Sequence, residues 1–114
     1  MMHFVELSPF KNYLDQLADG PQVLKRIQDE LMKQPDIGDV VQGTGGIRKM
    51  RAAGKGKGKS GGYRIWYLYF VEFNRIYLMA IYSKNETEDL SSSDRKYLKS
   101  LVDQLKMEAK NEKK

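Results

Sequence analysis

The sequence has no cysteine, a single histidine and no long hydrophobic run. The lack of cysteine excludes disulfide bonds, thiolate nucleophiles and cysteine-ligated zinc. Every apolar run is shorter than the roughly 18 residues of a membrane span, and the N-terminal MMHFVELSPF is too short and too acidic for a signal peptide. The lone histidine, His3, is far in the sequence from any acidic pair. We therefore expect a cytoplasmic protein with no metal ion or other cofactor, whose chemistry depends on lysine, arginine and tyrosine.

Positive charge is concentrated in one segment. The chain has 20 Lys and Arg against 15 Asp and Glu, a net charge of +5. Residues 40–71 contain no acid and several cations, which are Arg48, Lys49, Arg51, Lys55, Lys57, Lys59 and Arg64. Because the remaining residues are slightly acidic overall, the whole positive excess lies in this segment. Such a segment favours binding of a polyanion, above all nucleic acid, and the alternative interpretation is a solvated charged loop.

Apolar residues at helical spacing predict three helices. A first stripe covers residues 10–17, and a second helix is expected from 21 to about 33 after an Asp-Gly break, so that the two form a helical hairpin. The sequence SSSD at 91–94 is typical of a capping box, which predicts a C-terminal helix that continues to about Met107.

Strand patterns fill most of the remaining sequence. A short strand is expected at 3–7, and longer strands at 47–52, 63–73 and 76–83, with a glycine-rich loop at 37–46. The run IYLMAIYS at 76–83 is apolar on both faces, which predicts an inner strand. The order β-α-α-β-β-β-α, in a length that fits one domain over the whole chain, predicts an α+β fold: a helical hairpin packed on a small, twisted, mostly antiparallel sheet, with a C-terminal helix.

Basic residues from three parts of the chain are expected to meet at one end of this sheet. Arg64 opens the 63–73 strand directly after a Lys-rich, Gly-rich loop, and Lys84 follows the next strand, two residues after Tyr82. If these strands pair as a hairpin, Arg64 and Lys84 lie near the same end, where the Lys-rich loop also begins. The alternative for Arg64 is a snorkelling side chain or an ion pair with a carboxylate.

A cluster of lysine, arginine and tyrosine without metal or histidine is suited to the cleavage of RNA, because RNA carries its own nucleophile, the 2′-OH. The cluster can hold that oxygen in line with the phosphorus and stabilise the charge on a pentacoordinate phosphate. A lysine or a tyrosine among the cations can transfer protons. DNA has no 2′-OH, so this route would leave it uncut.

Two stretches of the chain resemble a known family: GDVVQGTGGIRKMRAAGKGKGKSGGYRIWY at 38–67 and IYLMAIYSKNETEDLSSSDRK at 76–96. They resemble toxins of the RelE/ParE superfamily, specifically the HigB-like branch, and the resemblance extends over nearly the whole chain. It implies a RelE-like fold and a type II toxin, a metal-independent endoribonuclease that enters the A site of the 30S ribosome and cuts translated mRNA. It also implies a cognate antitoxin that wraps or blocks the toxin.

The resemblance further implies which residues form the site. Family positions that contact or stabilise the scissile phosphate are matched by Lys55, Lys57, Lys59, Arg64 and Lys84. Among these we assign Lys55 to RNA binding, and we expect the neighbouring cations to bind RNA or the ribosome; they are Arg48, Lys49 and Arg51. Some relatives have a catalytic tyrosine where this chain has Leu90, which leaves Tyr82 as the substitute candidate for proton transfer.

Two other functions stay open at this stage. ParE-type members of the same fold bind DNA gyrase, so the chain is alternatively a non-enzymatic gyrase inhibitor. A third possibility is an RNA-binding module without activity. The dense basic loop, together with Arg64 and Lys84, favours the nuclease.

Overall fold

A computed structural model describes residues 1–52, 62–83 and 90–112 of the protein. Helices and strands are interleaved along these residues as the sequence predicts. The elements are β1 (His3–Glu6), α1 (Ser8–Asp15), α2 (Gly20–Lys33), β2 (Asp39–Val40), β3 (Arg48–Ala52), β4 (Tyr63–Phe70), β5 (Arg75–Ser83) and α3 (Ser92–Glu112), with a 3-10 turn at Val71–Phe73 between β4 and β5. Within the described ranges, no helix combines the length and apolar character needed to cross a membrane.

The strands form one sheet in the order β1-β5-β4-β3-β2. β1 runs parallel to β5, and the other neighbours are antiparallel, so the predicted α+β fold with a mostly antiparallel sheet is confirmed. β5 is flanked by β1 and β4, as its continuous apolar sequence predicts. His3 lies in the edge strand β1 and is exposed.

Each face of the sheet is covered by different helices. The helical hairpin α1–α2 buries one face, where the fully buried residues include Phe10, Ile27, Leu31, Ile65, Tyr67 and Leu78. α3 covers part of the other face and contributes Val102, Leu105 and Ala109 to a second core with Trp66, Leu68, Phe70, Tyr77 and Met79. Successive residues of β4 therefore point alternately to the hairpin and to α3, as strand geometry requires.

The structure corrects three predicted boundaries. The predicted loop at 37–46 contains the two-residue strand β2, which is too short to produce a sequence pattern. The strand predicted at 63–73 ends at Phe70, because Val71–Phe73 form a 3-10 turn that closes on Asn74 in the left-handed conformation, φ 49°. The C-terminal helix continues beyond Met107 to Glu112, since Ala109 is buried against the sheet and Glu112 pairs with Arg75 at 2.9 Å.

Candidate nucleic-acid interface

Three of the predicted site residues form one row across the sheet. Arg51 of β3 and Tyr82 of β5 are the register partners of Arg64 of β4 on its two sides. The next row on the same face contains Lys49, Trp66 and Ala80. Because Trp66 and Tyr82 belong to the core beneath α3, this face of the sheet is the one that α3 covers. The sheet register thus brings Arg51, Arg64 and Tyr82 together, with Lys49 beside them.

Arg64 is half-buried and its guanidinium is incompletely paired. Its Nη1 atom is shielded from solvent and has no hydrogen-bond partner among the described residues. Within the same ranges no carboxylate forms an ion pair with it. A buried unpaired donor, and like charges placed opposite each other as Arg51 and Arg64 are, both lower stability. A bound anion would remove both penalties.

A cleft of about 600 Å³ opens beside Arg64. Its lining residues are Ile37, Asp39, Lys49, Met50, Arg51 and Arg64. Lys49 and Arg51 are exposed. With three cations against one carboxylate, the cleft is positive, and the planar fork of an arginine is matched to phosphate oxygens.

The hydroxyl of Tyr82 is held in place by Trp66, the neighbouring residue of β4 on the same face. Trp66 Nε1 donates a hydrogen bond of 2.9 Å to the Tyr82 hydroxyl oxygen. The two rings meet edge to face at 83°, with centroids 6.2 Å apart. Because the indole is only 9% exposed, this bond orients the tyrosine rigidly. The Tyr82 side chain is thus directed to Trp66, on the same face of the sheet as Arg64, the register partner of Tyr82 in β4.

A second cleft, of about 650 Å³, continues from the first towards α3. It is lined by Asp39, Val40, Val41, Gln42, Gly43, Lys49 and Arg95, so that Asp39 and Lys49 border both clefts. Arg95 was not among the residues predicted from the sequence. In the sequence, Arg95 directly follows the SSSD capping box, which places it in the first turn of a helix. That position does not predict that Arg95 lies near β3.

Two glycines in the loop before β3 lie against α3. Gly43 and Gly45 have positive φ, 79° and 82°, which favours glycine. A Cβ at Gly43 would meet the Arg95 side chain at 3.4 Å, and one at Gly45 would meet Val102 at the same distance. Arg95 Nη1 donates a hydrogen bond to the Gln42 carbonyl, which fixes the guanidinium at the mouth of the second cleft.

Arg48, predicted to bind RNA, lies on the opposite face of β3 from Lys49 and Arg51, because successive residues of a strand alternate. Its guanidinium donates hydrogen bonds to the carbonyl oxygens of Gly38 at 2.7 Å and Asp36 at 3.3 Å. The structure therefore does not bring Arg48 to the clefts, and the contacts it makes anchor the loop that leads into β2.

Tyr67 fixes the same loop from inside the protein. Its hydroxyl accepts a 2.9 Å hydrogen bond from the Gly38 N–H and donates a 2.8 Å bond to the Pro35 carbonyl. Burial raises the pKa of Tyr67, an effect that the Gly38 N–H and the nearby Arg48 partly offset. Gly38 has no room for a side chain, since a Cβ would lie 2.8 Å from the Lys49 carbonyl oxygen. This anchoring holds the loop that carries Ile37 and Asp39 at the first cleft.

The other predicted site residues, Lys55, Lys57, Lys59 and Lys84, lie outside the described residues. In the sequence, residues 53–61 connect the end of β3 to the start of β4, and Lys84 follows the last residue of β5. Ala52 and Ser83, which precede these segments, are partners of Tyr63 in one row at the end of the sheet, next to the row of Arg64. Across the described ranges, no group of three His, Cys, Asp or Glu side chains is arranged to hold a metal ion.

Comparison with known proteins identifies both a family and a fold. The model of the family described as "RelE toxin of RelE / RelB toxin-antitoxin system" matches residues 23–113. The isolated E. coli RelE toxin has a TM-score of 0.58 at 17% sequence identity, over 77% of this chain and 89% of that chain. A chain of the intact E. coli RelBE toxin–antitoxin complex has a TM-score of 0.57 at 18% identity, over 76% of this chain and 100% of that chain. The RelE-like fold is therefore confirmed.

Proposed function

This chain belongs to the RelE family of toxins, and we propose that it is an endoribonuclease that cuts mRNA on the ribosome and thereby inhibits translation. The observation that carries the proposal is the row of Arg51, Arg64 and Tyr82 on one face of the sheet, with an Arg64 guanidinium nitrogen that is buried and unpaired within the described residues. Such a donor is suited to the charge that develops on a phosphate during cleavage.

The proposed reaction uses the 2′-OH of the RNA as the nucleophile. Its oxygen attacks the adjacent phosphorus, the P–O5′ bond breaks, and the products are a 2′,3′-cyclic phosphate and a 5′-OH. Arg64 stabilises the negative charge on the pentacoordinate phosphate, and the Tyr82 hydroxyl is our candidate for proton transfer. The family resemblance adds Lys57, Lys59 and Lys84 to the catalytic set and Lys55 to RNA binding. We assign the flanking RNA contacts to Lys49 and Arg51 and give Arg48 a structural role.

The partners follow from this function. The described part of the site contains a phenol and cations but no acid–base pair of matched carboxylates or histidines, so we propose that the ribosome must order the mRNA before it is cut. The E. coli relative is solved as a toxin–antitoxin complex, and we infer a cognate antitoxin for this chain also. We place its action in the cytoplasm, where ribosomes are, and its sequence motifs favour the HigB-like branch of the family.

Primer extension on mRNA from cells that express the protein tests the proposal. We expect cuts within reading frames, and with purified programmed ribosomes we expect the same cuts to disappear when the nucleotide 5′ of the cut carries a 2′-deoxyribose. Naked RNA should be cut little. Loss of DNA supercoiling without mRNA cleavage would instead identify a gyrase inhibitor, and binding of RNA without either effect would identify a binding module.

A further inference from the structure

The two clefts form one continuous basic groove on the α3 side of the sheet. We define this groove by its cations, Arg64, Arg51, Lys49 and Arg95. Lys49 borders both clefts and thus lies at the junction. Residues two apart on a strand are separated by about 6.6 Å, so Arg51 and Lys49 have close to the spacing of adjacent phosphates in an extended RNA strand.

The charges of the two clefts differ in a way that suggests different occupants. The first cleft has three cations, Lys49, Arg51 and Arg64, with Asp39 as its carboxylate. The second has Lys49 and Arg95 with the same carboxylate. The more positive first cleft suits a phosphate that gains charge during cleavage, whereas the second suits an ordinary phosphodiester with a single charge.

The first cleft also offers apolar surface for a base, because Ile37 lines it and is 39% exposed. Val40 borders the second cleft but is the register partner of Arg48, so its side chain lies on the opposite face of the sheet from Lys49. Volumes of about 600 and 650 Å³ are within the range of sites that hold small organic ligands.

We propose that the second cleft is a subsite for the nucleotide next to the cleavage position, in which Arg95 and Lys49 bind the backbone phosphate. The inference rests on the proposed function for the identity of the ligand, since it takes RNA to be the strand that follows the groove. It assigns a binding role to Arg95, which reaches the sheet from the first turn of α3 through its bond to the Gln42 carbonyl.

Binding of a fluorescent 2′-O-methyl RNA octanucleotide of mixed sequence tests the subsite without any cleavage, because this RNA lacks the nucleophile. We expect Arg95→Gln to weaken binding about tenfold, as loss of one charge-assisted contact predicts. The slope of log Kd against log salt concentration should decrease by about 0.7, the value for one phosphate contact on a single strand. Lys96→Gln removes the same charge from the next, exposed residue of α3, outside the groove, and should leave both quantities unchanged.

A second variant guards against a purely structural effect of losing the Arg95–Gln42 bond. Arg95→Lys keeps the positive charge and should restore much of the affinity lost in Arg95→Gln. The subsite is refuted if Arg95→Gln binds like the wild type, if Arg95→Lys binds as weakly as Arg95→Gln, if Lys96→Gln weakens binding as much as Arg95→Gln, or if the wild type does not bind at low salt. Cleavage of mRNA by the wild type on ribosomes is scored separately, so a failure of the proposed function is distinguishable from a failure of the subsite.

Discussion

At the scale of single residues, Arg64 and Tyr67 of β4 have opposite roles. The Arg64 guanidinium is left with an unpaired buried nitrogen within the described residues, whereas the Tyr67 hydroxyl both donates and accepts a hydrogen bond. Since buried polar groups in proteins are normally paired, the unpaired nitrogen of Arg64 lowers stability unless a ligand pairs it. Tyr67, by contrast, contributes stability and holds the loop beside the cleft in place.

The satisfied bonds of Tyr67 lead to a prediction about stability and pH. Tyr67→Phe should lower the free energy of unfolding at pH 7 by about 1–3 kcal/mol, because the Gly38 N–H and the Pro35 carbonyl lose their partner. Burial raises the pKa of Tyr67, so its stabilising contribution is fully present below the ordinary tyrosine pKa of about 10 and is lost as the pH rises through the folded-state value. The difference between wild type and variant should therefore shrink above about pH 10.

Urea denaturation of both proteins at pH 7 and at about pH 11 measures this difference on either side of the ordinary tyrosine pKa. Equal stability of wild type and Tyr67→Phe at pH 7 would show that the hydroxyl does not anchor the loop.

The sequence predicted which face of the sheet a residue occupies where strand alternation was applied, and the prediction was incomplete where alternation was not applied. Alternation along β4 placed Arg64 and Trp66 on one face, which is what the cores show. Grouping Arg48 with Lys49 and Arg51 by charge alone ignored the same rule, and the structure separates them on the two faces of β3. Arg95 could not be predicted, since its approach to Lys49 depends on tertiary packing of α3.

At the scale of elements, α3 begins with the capping box that the sequence predicts. The Asp94 N–H donates to Ser91 Oγ at 3.1 Å, and the Ser91 N–H donates to Asp94 Oδ2 at 3.0 Å. Two of the four unpaired N–H groups near a helix start are thus satisfied reciprocally. The cap also determines where Arg95 lies, because it fixes the residue at which α3 begins.

Substitution of the cap should have a measurable and local effect. Ser91→Ala should destabilise the protein by about 1 kcal/mol, the usual cost of removing an N-cap side chain. Ser92→Ala is the matched control, since Ser92 is the first helical residue and is exposed. Thermal or urea unfolding of the two variants gives the comparison, and equal stability of both would mean that the capping box contributes nothing.

Elements were predicted best where their own sequence determines them. The continuous apolar sequence of β5 and the capping box of α3 are local signals, and both predictions are confirmed. β2 has only two residues, and it forms because Tyr67 and Arg48 fix the preceding loop. No local sequence pattern therefore predicts it. The extension of α3 to Glu112 likewise depends on a distant residue, Arg75.

At the scale of the whole molecule, different helices cover the two faces of the sheet. The hairpin α1–α2 buries one face, and α3 covers only part of the other, so the end of β3, β4 and β5 that bears Arg51, Arg64 and Tyr82 borders an open cleft. Three cations of residues 40–71, which are Lys49, Arg51 and Arg64, line that cleft. The sequence also predicted an α+β fold, but not the parallel pairing of β1 with β5, which joins residues more than 70 positions apart.

The central claim is that the α3 face of the sheet holds the scissile phosphate. The most direct test compares the rates at which the wild type and Arg64→Ala cleave mRNA on programmed ribosomes. Arg64→Ala should cut at least about 100-fold more slowly, as expected when a donor to the transition-state charge is removed, while its unfolding midpoint stays close to that of the wild type. Lys33→Ala, at the end of α2 on the opposite side, should cut normally. Cleavage by a folded Arg64→Ala variant at the wild-type rate would contradict the account.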